Sequence, residues 1–116
     1  MSQITRHDRN HRRSRAVVHG NTLYIGGQIG TDLDGDITTQ TRQALEQVDR
    51  LLAASGSERK KVLSVTLWLK SMDDFAAMNA VWDAWIDTDE PPARCCGQVE
   101  MANPRILFEI TAVAAI

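Results

Sequence analysis

Arg94 lies in the stretch Pro91–Glu100, which reads PPARCCGQVE. The two prolines end any helix before it, and the small and apolar residues that follow read as a strand. A guanidinium does not shed its charge by deprotonation, so an arginine in such a strand needs a partner. Two readings stand open. The commoner one is an edge residue or half of an interface salt bridge. The sharper one is a clamp, because a guanidinium matches a carboxylate in two parallel hydrogen bonds. Glu109 sits in ILFEITAVA, an otherwise apolar strand. It is either an outward charge that protects a sheet edge or a carboxylate in a dry place, with a raised pKa, able to hold and activate water. Two charged residues on the two C-terminal strands shift the balance toward a shared site.

Asn79 interrupts the apolar stripe of FAAMNAVW. It reads as a boundary residue or as a hydrogen-bonding group for a ligand or a loop. Cys96 has no histidine near it in sequence, since His7, His11 and His19 all lie in the first quarter. Spacing therefore gives no nucleophile–base pair, and a packed thiol is the better reading. Adjacent Cys95 and Cys96 point to opposite faces of a strand and make a poor disulfide. No Cys/His spacing suggests zinc, so no metal is expected. The span Arg6–Arg15 holds five arginines and two histidines. It could touch phosphates, but its aspartate and the acidic balance of the chain favour a solvated edge or an oligomer rim. Trp68, Trp82 and Trp85 are spaced for packing rather than base stacking.

The elements that must position these residues follow from periodicity. Two apolar runs around Gly20-Asn21 read as a β-hairpin, and Gly26-Gly27 in the second strand allow a bulge or a close approach to the backbone. Asp36 is a good N-cap. Ile37, Thr41, Ala44, Leu45, Val48, Leu51 and Leu52 then recur at helical spacing, and Gly56 supplies the stop. KKVLSVTLWLK alternates, which places Leu63, Val65, Leu67 and Leu69 on one face. Ser71-Met72-Asp73-Asp74 reads as a capping-box variant opening a helix with Phe75, Met78, Val81, Trp82, Trp85 and Ile86 inward. The strands ARCCGQVEMA and RILFEITAVAAI close the chain. The order is β-β-α-β-α-β-β, an α+β arrangement with two helices on one face of one sheet.

The chain has 116 residues, 43% of them hydrophobic and 24% charged, which fits one compact soluble domain. A formal net charge of -2 argues against a surface built for nucleic acid. No apolar run approaches the roughly 18–20 residues of a membrane span. MSQITRHDRN lacks the apolar core of a secretory signal, and a reducing cytoplasm is the simplest setting for the cysteines. The strands carry apolar residues on both faces, as in Leu67-Trp68 and Leu107-Phe108, while two helices cover only one face. A homo-oligomer packing the open face against its copies is expected.

NTLYIGGQIG, DFAAMNAVWDAW, PPARCCGQVE and ILFEITAVA occur in an order and at spacings that resemble the YjgF/RidA (RutC-like) family of reactive enamine/imine deaminases, most closely its short YoaB-like members. The similarity runs from about Ala16 to Ile116, so residues 1–116 are expected to form a single YjgF/RidA-like domain. The resemblance implies a chorismate-mutase-like α+β fold, a homotrimer and three clefts between subunits. It implies cofactor-free hydrolysis of 2-imino or enamine acids, such as 2-aminoacrylate, to 2-oxo acids and ammonia. It assigns Arg94 to the substrate carboxylate and Glu109 to the attacking water. It further assigns the Cys96 backbone to the cleft lining, Gly27 to the loop closing the pocket, and Asn79 to a polar position nearby. Three departures remake the pocket wall. Gly26 replaces a serine, NHRRSRAV replaces a segment with a tyrosine, and Thr111 replaces a second acid. They keep open a rival of another class, non-catalytic binding of small carboxylate metabolites such as 2-oxo acids. RNA cleavage, ascribed to some family members, rests on Arg6–Arg15 alone and ranks last.

Overall fold

The computed structural model of the chain describes residues 3–116. The strands are β1 (Ile4–His7), β2 (Ala16–His19), β3 (Thr22–Ile29), β4 (Val62–Leu69), β5 (Ala93–Gln98) and β6 (Phe108–Ala115), and the helices are α1 (Ile37–Ala54) and α2 (Phe75–Trp85). One mixed sheet runs β1-β2-β3-β6-β4-β5. All neighbours are antiparallel except β4 and β5. That pair is parallel because α2 crosses between them, and a crossover returns the chain in the same direction.

The α+β architecture matches the sequence reading, with one strand more. The extra strand comes from the arginine-rich start, which folds into β1, a reversal and β2. Asp8 takes a positive φ of 51°, and the Asn10 Oδ1 accepts from the backbone N–H groups of Arg12 and Arg13 at 2.8 and 2.9 Å. Such side-chain turns favour reversal over extension. Gly20-Asn21 form the β2–β3 turn, with positive φ at Gly20. Gly26 and Gly27 lie in the register shift between Ile25 and Gln28 against β6, the expected bulge.

α1 begins at its expected cap. The Asp36 carboxylate accepts from Thr39 N–H at 2.9 Å, which holds its pKa below the ordinary carboxylate value. Past the C-terminus, Gly56 has φ 76°. The buried stripe is the one read from periodicity plus Gln40, except that Ile37 in the first turn is only partly buried against the core. The start of α2 differs. Ser71 caps a single 3₁₀ turn over Met72–Asp74, its Oγ accepting from Asp73 N–H, and α2 starts only at Phe75. Met78, Trp82 and Trp85 are buried, whereas Phe75 is exposed.

One core joins α1 and α2 to the sheet. It holds Leu23 and Ile25 of β3, Val65, Leu67 and Leu69 of β4, and the alternate β6 residues Phe108, Ile110, Ala112 and Ala114. Leu63 does not belong to it. A register shift between Val62 and Ser64 turns Val62 inward and leaves Leu63 53% exposed. Among the described residues, no helix covers the opposite face of the sheet. Tyr24 (49% exposed), Trp68 and Val113 share that face with Ser64, Thr66 and Thr111, so it is mixed rather than wholly apolar. β5 ends at Gln98, four residues earlier than its apolar run, although Val99 N–H still reaches Leu69 O at 3.0 Å.

Candidate active site

Arg94 pairs in register with Val65, a core residue, so its side chain is on the helix-covered face. Its Nη1 donates to Asn79 Oδ1 on α2 at 2.8 Å. Its guanidinium carbon lies 5.4 Å from the Trp82 ring centroid and 6.0 Å from that of Phe75, within cation–π range. Arg94 forms no ion pair among the described residues, and it is exposed at the sheet edge. The Asn79 amide oxygen thus holds the guanidinium against α2. Phe75, expected in the core, is instead the exposed first residue of α2 and flanks the guanidinium.

Cys96 follows two residues on and packs against the core from the same face. Burial pushes its thiol pKa up, the Arg94 guanidinium pulls it partly back, and Cys95 adds to the rise. At neutral pH it is a protonated, packed thiol, consistent with the sequence reading.

Glu109 alternates with buried Phe108 and Ile110 and is cross-strand from Trp68 and Ile29. It therefore projects from the uncovered face. A Cβ on Gly27 would overlap Glu109 Oε2; the absent side chain at Gly27 is what lets the carboxylate lie over the bulge. Glu109 has no ion pair and no side-chain hydrogen bond within 3.5 Å among the described residues. Beside it is a cavity of about 200 Å³, whose wall is completed by the Arg13–Arg15 segment and by Gly26–Gln28.

Arg94, Asn79 and Cys96 therefore form one cluster, and Glu109 and Gly27 form another, on opposite faces of the sheet. The chain alone does not bring all five together. Two further residues belong to the second cluster. Gln28 is fully buried; its Nε2 donates to Gly26 O at 3.1 Å, leaving Oε1 to accept from Arg15 Nη1 at 3.3 Å. The bulge at Gly26-Gly27 turns Gln28 inward, against the alternation set by Leu23 and Ile25, so no local pattern marks it. Arg15, in the stretch expected at a solvated edge or an oligomer rim, lines the Glu109 cavity. The departures at Gly26 and Thr111 fall on this second cluster and face. A side chain at Gly26 would meet the backbone oxygens of Arg15 and Ser14 at 3.4 and 3.5 Å, and Thr111 pairs with Thr66.

A mixed sheet backed by two helices, with polar clusters at its edge and over its bulge, defines a small α+β domain. The family model described as "Endoribonuclease L-PSP" matches residues 4–116. The RutC family protein YoaB of Escherichia coli K12 is 42% identical over 113 residues, spanning 97% of this chain and 98% of that protein. A RutC family protein of Haemophilus ducreyi is 35% identical over 97% of both chains. Among crystal structures, an uncharacterized Pseudomonas aeruginosa protein superposes with TM-score 0.95 at 46% identity, covering 97% of this chain and 98% of the other. A YjgF-family member from Neisseria meningitidis gives TM-score 0.94 at 34% identity, over 97% and 94% of the two chains. The chain belongs to the YjgF/RidA/RutC family. No helix of the described residues is long and apolar enough to cross a membrane.

Proposed function

We propose that the protein hydrolyses reactive 2-imino and enamine acids, such as 2-aminoacrylate, to 2-oxo acids and ammonia. The reaction takes place in clefts between copies of the chain, three in a homotrimer. The observation that carries this reading is the division of the site. Arg94 offers an unneutralised cation on one face, and Glu109 offers an unpartnered carboxylate on the other. One substrate meets both only if two copies come together. The uncovered sheet face, with Tyr24, Trp68 and Val113, is the surface available for that packing.

The chemistry suits these groups. A protonated imine carbon is already electrophilic, so catalysis reduces to holding the carboxylate, placing a water and moving protons. Arg94, oriented by Asn79, binds the substrate carboxylate, beside the Cys96 backbone. Glu109 takes a proton from water as its oxygen attacks the C=N carbon. It then returns that proton to nitrogen; the C–N bond breaks and ammonia leaves, while the hydroxyl proton passes to the Glu109 carboxylate, and from it to solvent, as the C=O bond forms. No group other than water is consumed.

The test generates 2-aminoacrylate with a pyridoxal-phosphate lyase and follows its decay. Added protein is expected to accelerate the decay. Arg94→Ala is expected to lose about 2–3 kcal/mol of transition-state binding, roughly 30- to 150-fold in kcat/KM. No acceleration by wild type, or equal activity of the variant, overturns the reading. A rise in Tm with 2-oxobutyrate that depends on Arg94, without turnover, assigns the protein to carboxylate binding instead.

A further inference from the structure

Arg13 and Arg15 have no part in the chemistry just described, yet both line the Glu109 cavity. We propose that they form a subsite for a second anion, so that the preferred substrates are 2-imino acids whose side chain ends in a carboxylate. This rests on the deaminase reading and names its substrate class.

The loop that carries them is built onto the sheet. Arg15 N–H donates to His7 O at 3.0 Å, and Gly26 N–H donates to Arg15 O at 2.9 Å. Buried Gln28 commits its amide nitrogen to Gly26 O and so presents its oxygen to Arg15 Nη1. Both guanidiniums keep donor capacity. Arg13 Nη1 donates to the backbone oxygen of Asp8, and Arg15 spends one N–H on Gln28, of five on each side chain. Their acidic neighbours do not neutralise them. Asp8 is 3.2 Å from Arg50 but 4.0 Å from Arg15, and the Arg15–Asp8 pair is half-exposed, where such pairs are weak. Glu109 pairs with neither arginine. The lining thus holds two cations against one carboxylate.

The α-carboxylate of the substrate already has Arg94, so this excess positive charge is left for another group. The cavity, about 200 Å³, has room for several waters. That is room for a short chain ending in a carboxylate, with Ser14 as an added hydrogen-bonding group.

The test compares the imines made in situ by amino-acid oxidases from glutamate and from leucine, with semicarbazide competing for each. Wild type is expected to favour the glutamate-derived imine at least tenfold in kcat/KM. The double variant Arg13→Gln/Arg15→Gln is expected to abolish that ratio, while Arg15→Lys retains most of it. A ratio near one in wild type, or a ratio unchanged in the double variant, overturns the proposal. Calorimetry with 2-oxoglutarate and 2-oxobutyrate reads the same preference without turnover. If neither imine is hydrolysed but 2-oxoglutarate binds at least tenfold tighter, in an Arg13- and Arg15-dependent way, the anion subsite stands and only the deaminase reading fails. Equal binding of the two acids removes the subsite.

Discussion

Arg94 and Glu109 stand on opposite faces of one sheet, because Arg94 is in register with buried Val65 while Glu109 alternates with buried Phe108 and Ile110. A substrate held by both must lie between two copies. Activity should then be recoverable by mixing two dead variants. In a closed ring of three, random assembly of equal amounts of Arg94→Ala and Glu109→Gln chains puts both kinds in roughly three-quarters of trimers. Each mixed trimer has one intact cleft of three, so about a quarter of wild-type activity should return after joint unfolding and refolding. No recovery, with trimers formed, would place the whole site within one chain.

Gly27 tests the carboxylate's position. A methyl group there overlaps Glu109 Oε2, the movable end of a side chain, so the fold gives way cheaply and the carboxylate is displaced. Gly27→Ala should change stability by less than about 1 kcal/mol and lower kcat/KM about tenfold to a hundredfold. Denaturation and steady-state kinetics on the same preparation separate the two. A large stability loss with unchanged specific activity would remove Glu109 from the reaction.

What was legible in the sequence was what periodicity and local caps encode. The α1 stripe, Asp36, the Gly20-Asn21 turn and the Gly26-Gly27 bulge each depend on neighbours within a few residues. Leu63 was misplaced because a bulge shifts the register, and alternation assumes an unbroken strand. Phe75 keeps the helical phase of Met78 and Trp82, but as the first residue of α2 it lies at the end of the helix beside Arg94, a position periodicity does not encode. The site residues Arg94 and Glu109 stood out as charges in apolar strands, but their separation across the sheet follows from strand order and the α2 crossover, which are not local properties. Gln28 and Arg15 were unreadable for the same reason: their contact spans the β2–β3 hairpin.

The Asp36 cap gives a signed pH dependence. Its carboxyl pKa lies below the ordinary 3.8, chiefly because Thr39 N–H donates to it, with the Thr39 side chain next. A lowered folded-state pKa means stability is fully present above the unfolded value and is lost as pH falls through the folded one. The Tm should therefore drop below about pH 4, and Asp36→Asn, which keeps a cap but does not titrate, should show a shallower drop. Parallel Tm–pH curves for the two proteins would rule this contribution out.

Gln40 should be among the most sensitive positions away from the site. It is fully buried on α1. Its Nε2 lies within hydrogen-bonding distance of Leu33 O, Gly35 O and Arg105 O at 3.3, 3.1 and 3.0 Å, and its Oε1 accepts from Leu107 N–H at 2.9 Å. One side chain thus ties the loop before α1 to the segment leading into β6. Gln40→Ala removes the partner of a buried N–H and of several carbonyls while opening a small void. Each orphaned group costs about 1–3 kcal/mol, so a loss of about 3 kcal/mol is expected, read as a lower urea midpoint at unchanged m. The Leu107 amide should also exchange with solvent faster than in wild type. A loss below about 1 kcal/mol would mean that water replaces the amide, and that the approach to Glu109 is held by the β3, β4 and β6 ladders alone.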